Sequence, residues 1–394
     1  MLYYKGKDTY LSFMKLLLVA GGGGHFAPAL ALIEALPKDW EFMVIGRKYA
    51  FEADKTVSLE YQTAQKLGIP FATISAGRFQ RQVSRHSFQS IAKIPVGFLQ
   101  AVRIIKSYKP DVVVSFGGYV SVPVAFAARA VNIPIIVHEQ TLGAGLANKV
   151  VGKFANHIAL SWKQSEQFFP KKKIVLVGNP LQKVFLQNLE KKTHAEKPKD
   201  MPLIYVTGGS GGSHAINVLI EDCLEKLLQK YRIIHQTGDA KRFNDFDRLE
   251  KKRQSLPENM QKNYMLTKFV PASDVFGTLQ TADLVVTRSG IGTVTQLLAL
   301  GKTCLFIPLP NGQKNEQLTN ALFVKNIGIG EVAEQYSLTG DTLYALIEKM
   351  LQNSASYKKH RDEAKAVIDL QATQKLISLI SHVKSKNQKE ITQS

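Results

Sequence analysis

Leu16-Leu17-Leu18-Val19-Ala20-Gly21-Gly22-Gly23-Gly24-His25, near the start of the chain, is an apolar run that ends in a glycine-rich turn. Half a chain later the pattern returns as Ile204-Tyr205-Val206-Thr207-Gly208-Gly209-Ser210-Gly211-Gly212-Ser213. Each apolar run is typical of a buried parallel strand, and each turn leads into a predicted helix, over 27–36 and over 215–228. Because the start of a helix presents unpaired N–H groups and a positive dipole end, anions bind well there. The repeat therefore predicts two nucleotide-type domains that face each other.

The composition is that of a soluble globular protein. The chain has 394 residues, of which 45% are hydrophobic and 21% are charged, and this length fits two domains. Its apolar runs fall short of the roughly 18–20 residues that span a bilayer, and the run before the first glycine turn is too short for a secretory signal. Cys223 and Cys304 carry no spacing signature, which favours a reducing cytosol.

The net charge of +19 is unevenly distributed. Residues 61–110 contain eight Lys or Arg and no Asp or Glu. Such a positive field favours an anionic partner, either a nucleic acid or lipid headgroups. The sequence shows no nucleic-acid-binding motif, and its aromatic residues do not line a basic strand, so we expect no nucleic-acid partner.

Apolar strands alternate with helix-like segments along the chain, which is typical of an α/β fold with parallel sheets and helices on both faces. The predicted strands are 15–20, 41–45, 111–115, 133–137, 157–160, 174–177, 203–207, 232–236, 264–267, 284–287 and 303–307. Ligands of open parallel sheets bind beyond the carboxyl ends of the strands, so two such domains make a central cleft between those edges.

The chain is divided into four predicted parts. Residues 1–13 are an N-terminal extension, because Met14-Lys15-Leu16 resembles a natural start. Residues 14–180 form the first domain, 181–372 the second, and 373–394 a C-terminal helix and polar tail. The segment after His382 is rich in Lys, Gln and Ser, and this composition predicts disorder.

His25 closes the first glycine turn at the start of a helix. Neither turn fits the G-x-G-x-x-G dinucleotide motif or the P-loop, so the predicted anion is a diphosphate of another class. Two interpretations of His25 stay open. The residue caps the helix or packs in the core, or it is a general base that titrates near neutral pH.

Other polar segments also follow predicted strands. Ser115–Tyr119 is a close-approach turn, and His138-Glu139-Gln140 favours a binding edge over a structural cap. Residues 287–296 combine a glycine turn, Arg288 and a helix predicted to begin at Thr293, and this combination can bind a diphosphate. The alternative for Arg288 is a surface ion pair. The polar loop within 307–317 suits the hydroxyls of a sugar.

These segments, in this order, resemble the MurG family of peptidoglycan glycosyltransferases. The similarity runs from about residue 15 to residue 330 and includes Gly178-Asn179-Pro180 and Asn320-Ala321. It implies a GT-B fold of two Rossmann-like domains. The first domain would hold undecaprenyl-diphosphate-MurNAc-pentapeptide (lipid I), and the second would hold UDP-GlcNAc. The implied reaction inverts the anomeric carbon as the acceptor's 4-hydroxyl displaces UDP, and it needs no metal and no cofactor.

Position by position, the resemblance implies roles in both halves of the chain. The catalytic candidates are His25 and Glu139. The acceptor-binding candidates are Gly117, Gly118, Tyr119, His138, Gln140 and Asn148. The donor-binding candidates are Gly22, Gly23, Gly24, Thr141, Gln182, Ser210, Val270, Arg288, Ile291, Gly292, Thr293, Gln296, Glu316 and Gln317. The first glycine turn, with His25 at its end, is also predicted to be the diphosphate site of the acceptor.

Five positions differ from the family pattern. Gly22 stands where the family has Thr, Thr141 where it has Asn, Gln182 where it has Arg, Gly211 where it has Gln, and Gln296 where it has Glu. A Gln binds the ribose hydroxyls less strongly than a charged acceptor does. We therefore expect the differences to act on donor binding more than on the fold. A related lipid-acceptor glycosyltransferase with another UDP-sugar or acceptor stays open, as does a non-enzymatic binding protein.

Residues 76–106 carry apolar side chains interleaved with Arg and Lys. An apolar surface rimmed by positive charge suits peripheral docking on anionic lipid. Together with the resemblance, this pattern predicts a peripheral protein on the cytoplasmic face of the cell membrane. Other cell-wall synthesis proteins are further expected partners.

Overall fold

The computed structural model describes residues 13–49, 57–75, 85–191, 201–209, 211–240, 242–310 and 315–392. The chain divides into two compact units. The first consists of the residues up to Gln182 together with those from Leu370 onward, and the second of Lys183–Asp369.

The first unit contains a seven-stranded sheet in the order β3-β2-β1-β4-β5-β6-β7, and every pairing in it is parallel. Its strands are β1 Met14–Ala20, β2 Trp40–Gly46, β3 Phe71–Thr73, β4 Val112–Gly117, β5 Ile135–Glu139, β6 His157–Leu160 and β7 Ile174–Leu176. Its helices are α1 Gly23–Ile33, α2 Leu59–Leu67, α3 Arg85–Tyr108, α4 Ser121–Ala130, α5 Leu146–Gly152 and the C-terminal α16 Ala372–Thr392.

Both faces of this sheet are buried, and alternate residues of β1 point into two different cores. Leu16 and Leu18 pack in one cluster with side chains of α1 and α16. Leu17 and Val19 pack in the other, with side chains of α3 and α4. A strand that is buried on both faces has no polar side to display, and this explains its unbroken apolar run.

The second unit contains a six-stranded parallel sheet in the order β10-β9-β8-β11-β12-β13. Its strands are β8 Leu203–Thr207, β9 Arg232–Gln236, β10 Tyr264–Thr267, β11 Leu284–Thr287, β12 Cys304–Phe306 and β13 Gly330–Val332. Its helices are α6 Lys183–Glu190, α7 His214–Leu228, α8 Asp245–Ser255, α9 Glu258–Asn263, α10 Ala272–Thr281, α11 Ile291–Leu300, α12 Glu316–Ile327, α13 Gly340–Gln352, α14 Ser354–Lys358 and α15 Arg361–Ala366.

The prediction of two Rossmann-like domains with parallel sheets is confirmed, and each predicted strand overlaps an observed one. The sequence interpretation missed β3 and β13, which lie at sheet edges and are three residues long. Such short strands leave too little periodicity to detect. Helix α11 begins at Ile291 rather than at Thr293.

The prediction of disorder after His382 was wrong, because α16 continues to Thr392. Its apolar residues pack on the first unit, in the cluster that holds Leu16 and Leu18. The Lys384 ammonium is nearly buried and donates to the Asp111 carboxylate over 3.0 Å and to the Phe13 carbonyl. Asp111 also accepts from the Lys15 N–H over 2.8 Å, so the polar end of α16 binds the start of β1.

None of the helices in the described ranges combines the length and apolar character needed to cross a membrane.

Candidate active site

The turns after β1 and β4 pack main chain against main chain. The Gly21 N–H donates to the Gly117 carbonyl over 3.0 Å. A Cβ added to Gly118 would lie 2.4 Å from the Gly21 oxygen, which is closer than real Cβ contacts come. Glycine at position 118 is therefore required for this packing, and the first glycine turn is held beside the end of β4. Sequence reasoning placed Ser115, Phe116 and Gly117 in a turn after the strand, whereas β4 includes all three.

His25 lies in the first turn of α1 and faces the turn after β4. Its Nδ1 is 3.2 Å from the Gln140 amide nitrogen, and a Cβ added to Gly117 would lie 3.1 Å from that Nδ1. Burial lowers the pKa of His25 below its ordinary 6.5, against the opposing charge of Glu139. The ring is therefore neutral at pH 7 and can accept a proton.

Glu139 is fully buried at the end of β5, and its carboxylate organises the loop that follows. Oε1 accepts from the Thr141 N–H over 3.0 Å and from the Thr141 hydroxyl over 2.7 Å. Oε2 accepts from the Gly145 N–H over 2.9 Å and from the Asn148 amide over 3.0 Å. The structure thus gives these residues bonds to one another, and their predicted roles toward substrates stay predictions.

His138 lies inside the sheet and is completely buried. Its Nε2 is 3.3 Å from the Gly178 carbonyl and from the Ser161 hydroxyl, and its ring packs against Phe116. Burial lowers the pKa of His138 to about 4, so the ring is neutral. Sequence reasoning placed His138 and Glu139 after the strand, whereas β5 includes both. The acceptor-binding role of His138 stays a prediction.

The remaining candidates of the first unit vary in exposure, and Gly22 is buried. Gly22 has a positive φ of 138° and precedes α1 as its N-cap. Gly24 is exposed, and a Cβ added there would meet nothing within 4 Å. Tyr119 and Gln182 are both half-buried. Open space at Gly24 is compatible with a ligand at the start of α1.

The start of α11 forms the centre of the candidate site in the second unit. Ile291 is buried, while Gly292 is exposed and Thr293 is half-buried. A Cβ added to Gly290 or to Gly292 would meet nothing within 4 Å. The N–H groups of the first helical turn have no partner within their own helix, so this open end favours an anion. Gln296 is half-buried and lies one turn further along α11.

Arg288 is buried and bonds to oxygens of its own unit. Its Nη1 donates to the Ile307 carbonyl over 2.8 Å and to the Pro308 carbonyl over 3.1 Å, and its Nη2 donates to Gln335 over 2.6 Å. Burial lowers the pKa of Arg288 to about 10, which leaves the guanidinium charged at pH 7. The side chain therefore links the segments that follow β11 and β12 by hydrogen bonds. The binding of Arg288 to the donor diphosphate stays a prediction.

The turn before α11 is bonded to the start of α12. The Ser289 hydroxyl donates to the Gln317 carbonyl over 2.6 Å, and the Asn320 amide donates to the Ser289 carbonyl over 3.0 Å. The Gln317 side-chain oxygen accepts from the Leu309 N–H over 2.9 Å. Glu316 is half-buried in the first turn of α12. These bonds bring the predicted diphosphate and sugar segments to one edge of the second sheet.

Gln236, at the end of β9, connects the second glycine turn to the segment after β10. Its amide nitrogen donates to the Gly209 carbonyl over 3.1 Å, and its oxygen accepts from the Val270 N–H over 3.0 Å. The Val270 N–H is therefore already bonded, and a contact between it and a uracil ring would have to replace this bond. Ser210 lies outside the described residues.

Sequence reasoning missed one charged pair beside His25. Arg47 follows β2, and its Nε donates to the buried Glu60 carboxylate over 2.7 Å. The rule that singled out the other polar residues after strands would have found Arg47 as well, because β2 was predicted. Nothing local to Glu60, within a helix, indicates that its side chain is buried.

His, Cys, Asp and Glu side chains do not form a group of three or more suited to a metal ion anywhere in the described ranges.

Two family models match the chain. The Glycosyltransferase family 28 N-terminal domain matches residues 16–160, and the Glycosyltransferase family 28 C-terminal domain matches residues 203–383.

Several solved structures share the fold. A crystal structure of MurG from Acinetobacter baumannii aligns with a TM-score of 0.70 at 24% identity and covers 93% of this chain and 99% of that chain. The UDP-GlcNAc 2-epimerase from Neisseria meningitidis aligns with a TM-score of 0.61 at 13% identity and also covers 93% of this chain and 99% of that chain. At these identities the likeness shows the fold alone.

The curated relatives are more similar in sequence. A protein of Shouchella clausii is 36% identical over 351 residues, which cover 87% of this chain and 93% of the relative. A protein of Geobacter metallireducens is 31% identical over 372 residues, which cover 92% of this chain and 97% of the relative. Both are named UDP-N-acetylglucosamine--N-acetylmuramyl-(pentapeptide) pyrophosphoryl-undecaprenol N-acetylglucosamine transferase. The chain therefore belongs to the MurG family of these transferases, within glycosyltransferase family 28.

Proposed function

We propose that the protein transfers GlcNAc from UDP-GlcNAc to the MurNAc 4-hydroxyl of undecaprenyl-diphosphate-MurNAc-pentapeptide, converting lipid I to lipid II. The names of its relatives support this substrate pair. The observation that carries the chemistry is the neutral His25 at the first glycine turn, with its Nδ1 3.2 Å from the Gln140 amide group.

In the proposed reaction, a bond forms between the acceptor's 4-oxygen and the anomeric carbon of GlcNAc as the bond from that carbon to UDP breaks. His25 accepts the proton of the attacking hydroxyl and later releases it to solvent. UDP leaves with the electron pair, and the anomeric carbon is inverted. General-base help of this kind contributes about 10²–10⁴-fold to a rate.

The second unit would bind the donor. The open start of α11, with Gly292 and Thr293, presents N–H groups and a positive dipole end that would stabilise the leaving diphosphate. Gln317 and Glu316 would contact the sugar hydroxyls. We propose that the N–H groups at the start of α11 stabilise the diphosphate in place of a metal ion and that the reaction uses no cofactor.

We also propose that the first unit docks on the cytoplasmic face of an anionic membrane. In the predicted 76–106 docking segment, residues 76–84 lie outside the described residues. On α3, Val96 and Leu99 are 47% and 65% exposed, and Arg103 and Lys106 are exposed as well. Exposed apolar side chains beside cations favour binding to anionic lipid.

The test of the proposed function is transfer of label from UDP-GlcNAc to a soluble lipid I analogue. The expected product contains one GlcNAc per acceptor, with inverted anomeric configuration. A folded protein that forms no such product would contradict the proposal. A panel of other UDP-sugars tests the alternative of a related transferase, which a preference for a different donor would support.

Replacing Gln296 with glutamate is expected to lower the KM for UDP-GlcNAc about fivefold. A charged acceptor forms hydrogen bonds roughly twice as strong as a neutral one, and about 1 kcal/mol corresponds to about a fivefold change in affinity. Steady-state kinetics with the donor varied at saturating acceptor measures the change. An unchanged or raised KM would show that Gln296 does not bind the donor ribose.

A further inference from the structure

Arg288 is a buried cation whose hydrogen bonds go to neutral oxygens. The residue is 9% exposed, and its guanidinium donates to the carbonyls of Ile307 and Pro308 and to the side-chain oxygen of Gln335. Within the described ranges no carboxylate forms an ion pair with it, and burial lowers its pKa to about 10. A buried charge without an opposite partner is costly. The second unit therefore holds an uncancelled positive charge at this edge of its sheet.

Gln335 is a neutral partner in a segment that also carries carboxylates. It begins a short 3₁₀ turn after β13, and its Oε1 accepts from the Arg288 Nη2 over 2.6 Å. The preceding residue, Glu334, is exposed, and Glu331 pairs with a lysine over 3.0 Å. A carboxylate would bond the guanidinium more strongly than an amide does. The amide at this position therefore leaves the charge of Arg288 uncancelled.

The uncancelled charge belongs to the turn that leads into α11. Arg288 is two residues before Gly290, the N-cap of that helix. Ser289, between them, is completely buried, and both its hydroxyl and its carbonyl are bonded to α12. The turn is thus fixed in place. The guanidinium and the positive end of the α11 dipole act at the same edge of the sheet, and both favour an anion there.

We propose that Gln335 is a positioning residue of the donor site, which holds the Arg288 guanidinium in place without cancelling its charge. This inference rests on the proposed function, in which the diphosphate of UDP-GlcNAc binds at the start of α11. The guanidinium keeps its bonds to protein oxygens and acts on the diphosphate through its field, which is strong in a partly buried site. Gln335 thus strengthens donor binding without contacting the donor.

The first test replaces Gln335 with glutamate, which places a carboxylate on Arg288. The melting temperature should rise by about 2–4 °C, because a buried cation gains an opposite charge. Affinity for UDP, measured by calorimetry, should fall about tenfold, since unit charges about 10 Å apart at an effective dielectric constant of about 20 change affinity by roughly this factor. A UDP affinity within about twofold of wild type would overturn the inference.

Gln335→Met is the complementary variant because it keeps the size of the side chain and removes the acceptor. The melting temperature should fall by at least about 2 °C, since the Arg288 Nη2 loses its partner. UDP affinity should fall at least about threefold, because the guanidinium loses its fixed position. Affinity would then fall in both variants while the melting temperature moves in opposite directions. If affinity instead followed the melting temperature in both, Gln335 would be merely structural and the inference would be wrong.

Tyr336→Glu is the matched control because it adds the same charge at the next residue, whose side chain is 78% exposed. Its UDP affinity should stay within about twofold of wild type. A loss as large as that of Gln335→Glu would reduce the effect to general electrostatics and overturn the inference.

A comparison of UDP with UMP locates the effect on the ligand. The loss of affinity in Gln335→Glu should be larger for UDP, because a change in field acts in proportion to the charge of the ligand. Equal losses for the two nucleotides would place the effect at the nucleoside and contradict the inference. These readouts need no sugar transfer. If Gln335→Glu weakens UDP binding and the protein forms no lipid II, only the proposed function fails. If lipid II forms and both Gln335 variants bind UDP as wild type does, only this inference fails.

Discussion

Replacing His25 with alanine is expected to lower the turnover number at least about 100-fold, the lower end of the contribution of a general base. UDP affinity should stay within twofold of wild type, because the groups proposed to stabilise the leaving diphosphate, at the start of α11, belong to the second unit and His25 to the first. Turnover is measured under saturating UDP-GlcNAc and lipid I analogue, and UDP affinity by calorimetry.

The pH dependence gives His25 a signature that a structural histidine would lack. A general base acts when unprotonated, so activity falls as the pH drops through its pKa. Burial lowers the pKa of His25 below 6.5, and the acid limb of kcat/KM should accordingly lie below pH 6.5. The residual activity of His25→Ala should lack this limb.

His360→Ala is a suitable control, since His360 pairs with Glu363 on the surface of the second unit and its side chain is 46% exposed. It should turn over as wild type does. If His25→Ala turned over as wild type does, His25 would have no part in the mechanism. The alternative interpretation, that it caps the helix or packs in the core, would then stand.

Much of the fold was predictable because its central strands are buried on both faces. The run Leu16–Ala20 is apolar throughout, since Leu16 and Leu17 point into different cores. The edge strands β3 and β13 were not predictable from three residues each. The C-terminal helix was predicted, but its extent after His382 was misjudged because that segment is rich in Lys, Gln and Ser, although Val383 packs on the first unit.

The candidate site was predictable in its location and less so in its side-chain directions. The glycine turns and the polar residues near strand ends lie at one edge of each sheet, and their roles toward substrates stay predictions. Arg288 turns inward because its partner Gln335 comes from 47 residues further along the chain. A local sequence pattern cannot predict a partner so far along the chain. The contact between Gln140 and His25, which are 115 residues apart, was unpredictable for the same reason.

Replacing Glu139 with alanine is expected to destabilise the first unit by about 3–5 kcal/mol. Four donors, the N–H groups of Thr141 and Gly145, the Thr141 hydroxyl and the Asn148 amide, would lose a charged acceptor, and each such loss costs about 1 kcal/mol. For a unit of this size the melting temperature should fall by about 6–20 °C. Differential scanning calorimetry measures the shift.

Two further variants, Glu139→Gln and Glu41→Ala, test whether the loss of stability comes from the hydrogen bonds to Glu139. Glutamine keeps one acceptor oxygen but places an amide N–H₂ against N–H donors, so its cost should lie between that of wild type and that of alanine. Glu41 pairs with Lys15 on the surface at 3.0 Å, and its loss should cost at most about 1 kcal/mol.

Because the loop that Glu139 holds begins beside Gln140, the destabilised variants should also lose activity through a misplaced His25. Turnover should therefore fall in the order of the melting temperatures, from wild type through glutamine to alanine. A Glu139→Gln variant with the melting temperature of wild type and turnover as low as that of His25→Ala would contradict this. It would show that the Glu139 charge acts on the reacting groups directly, as the family resemblance implies.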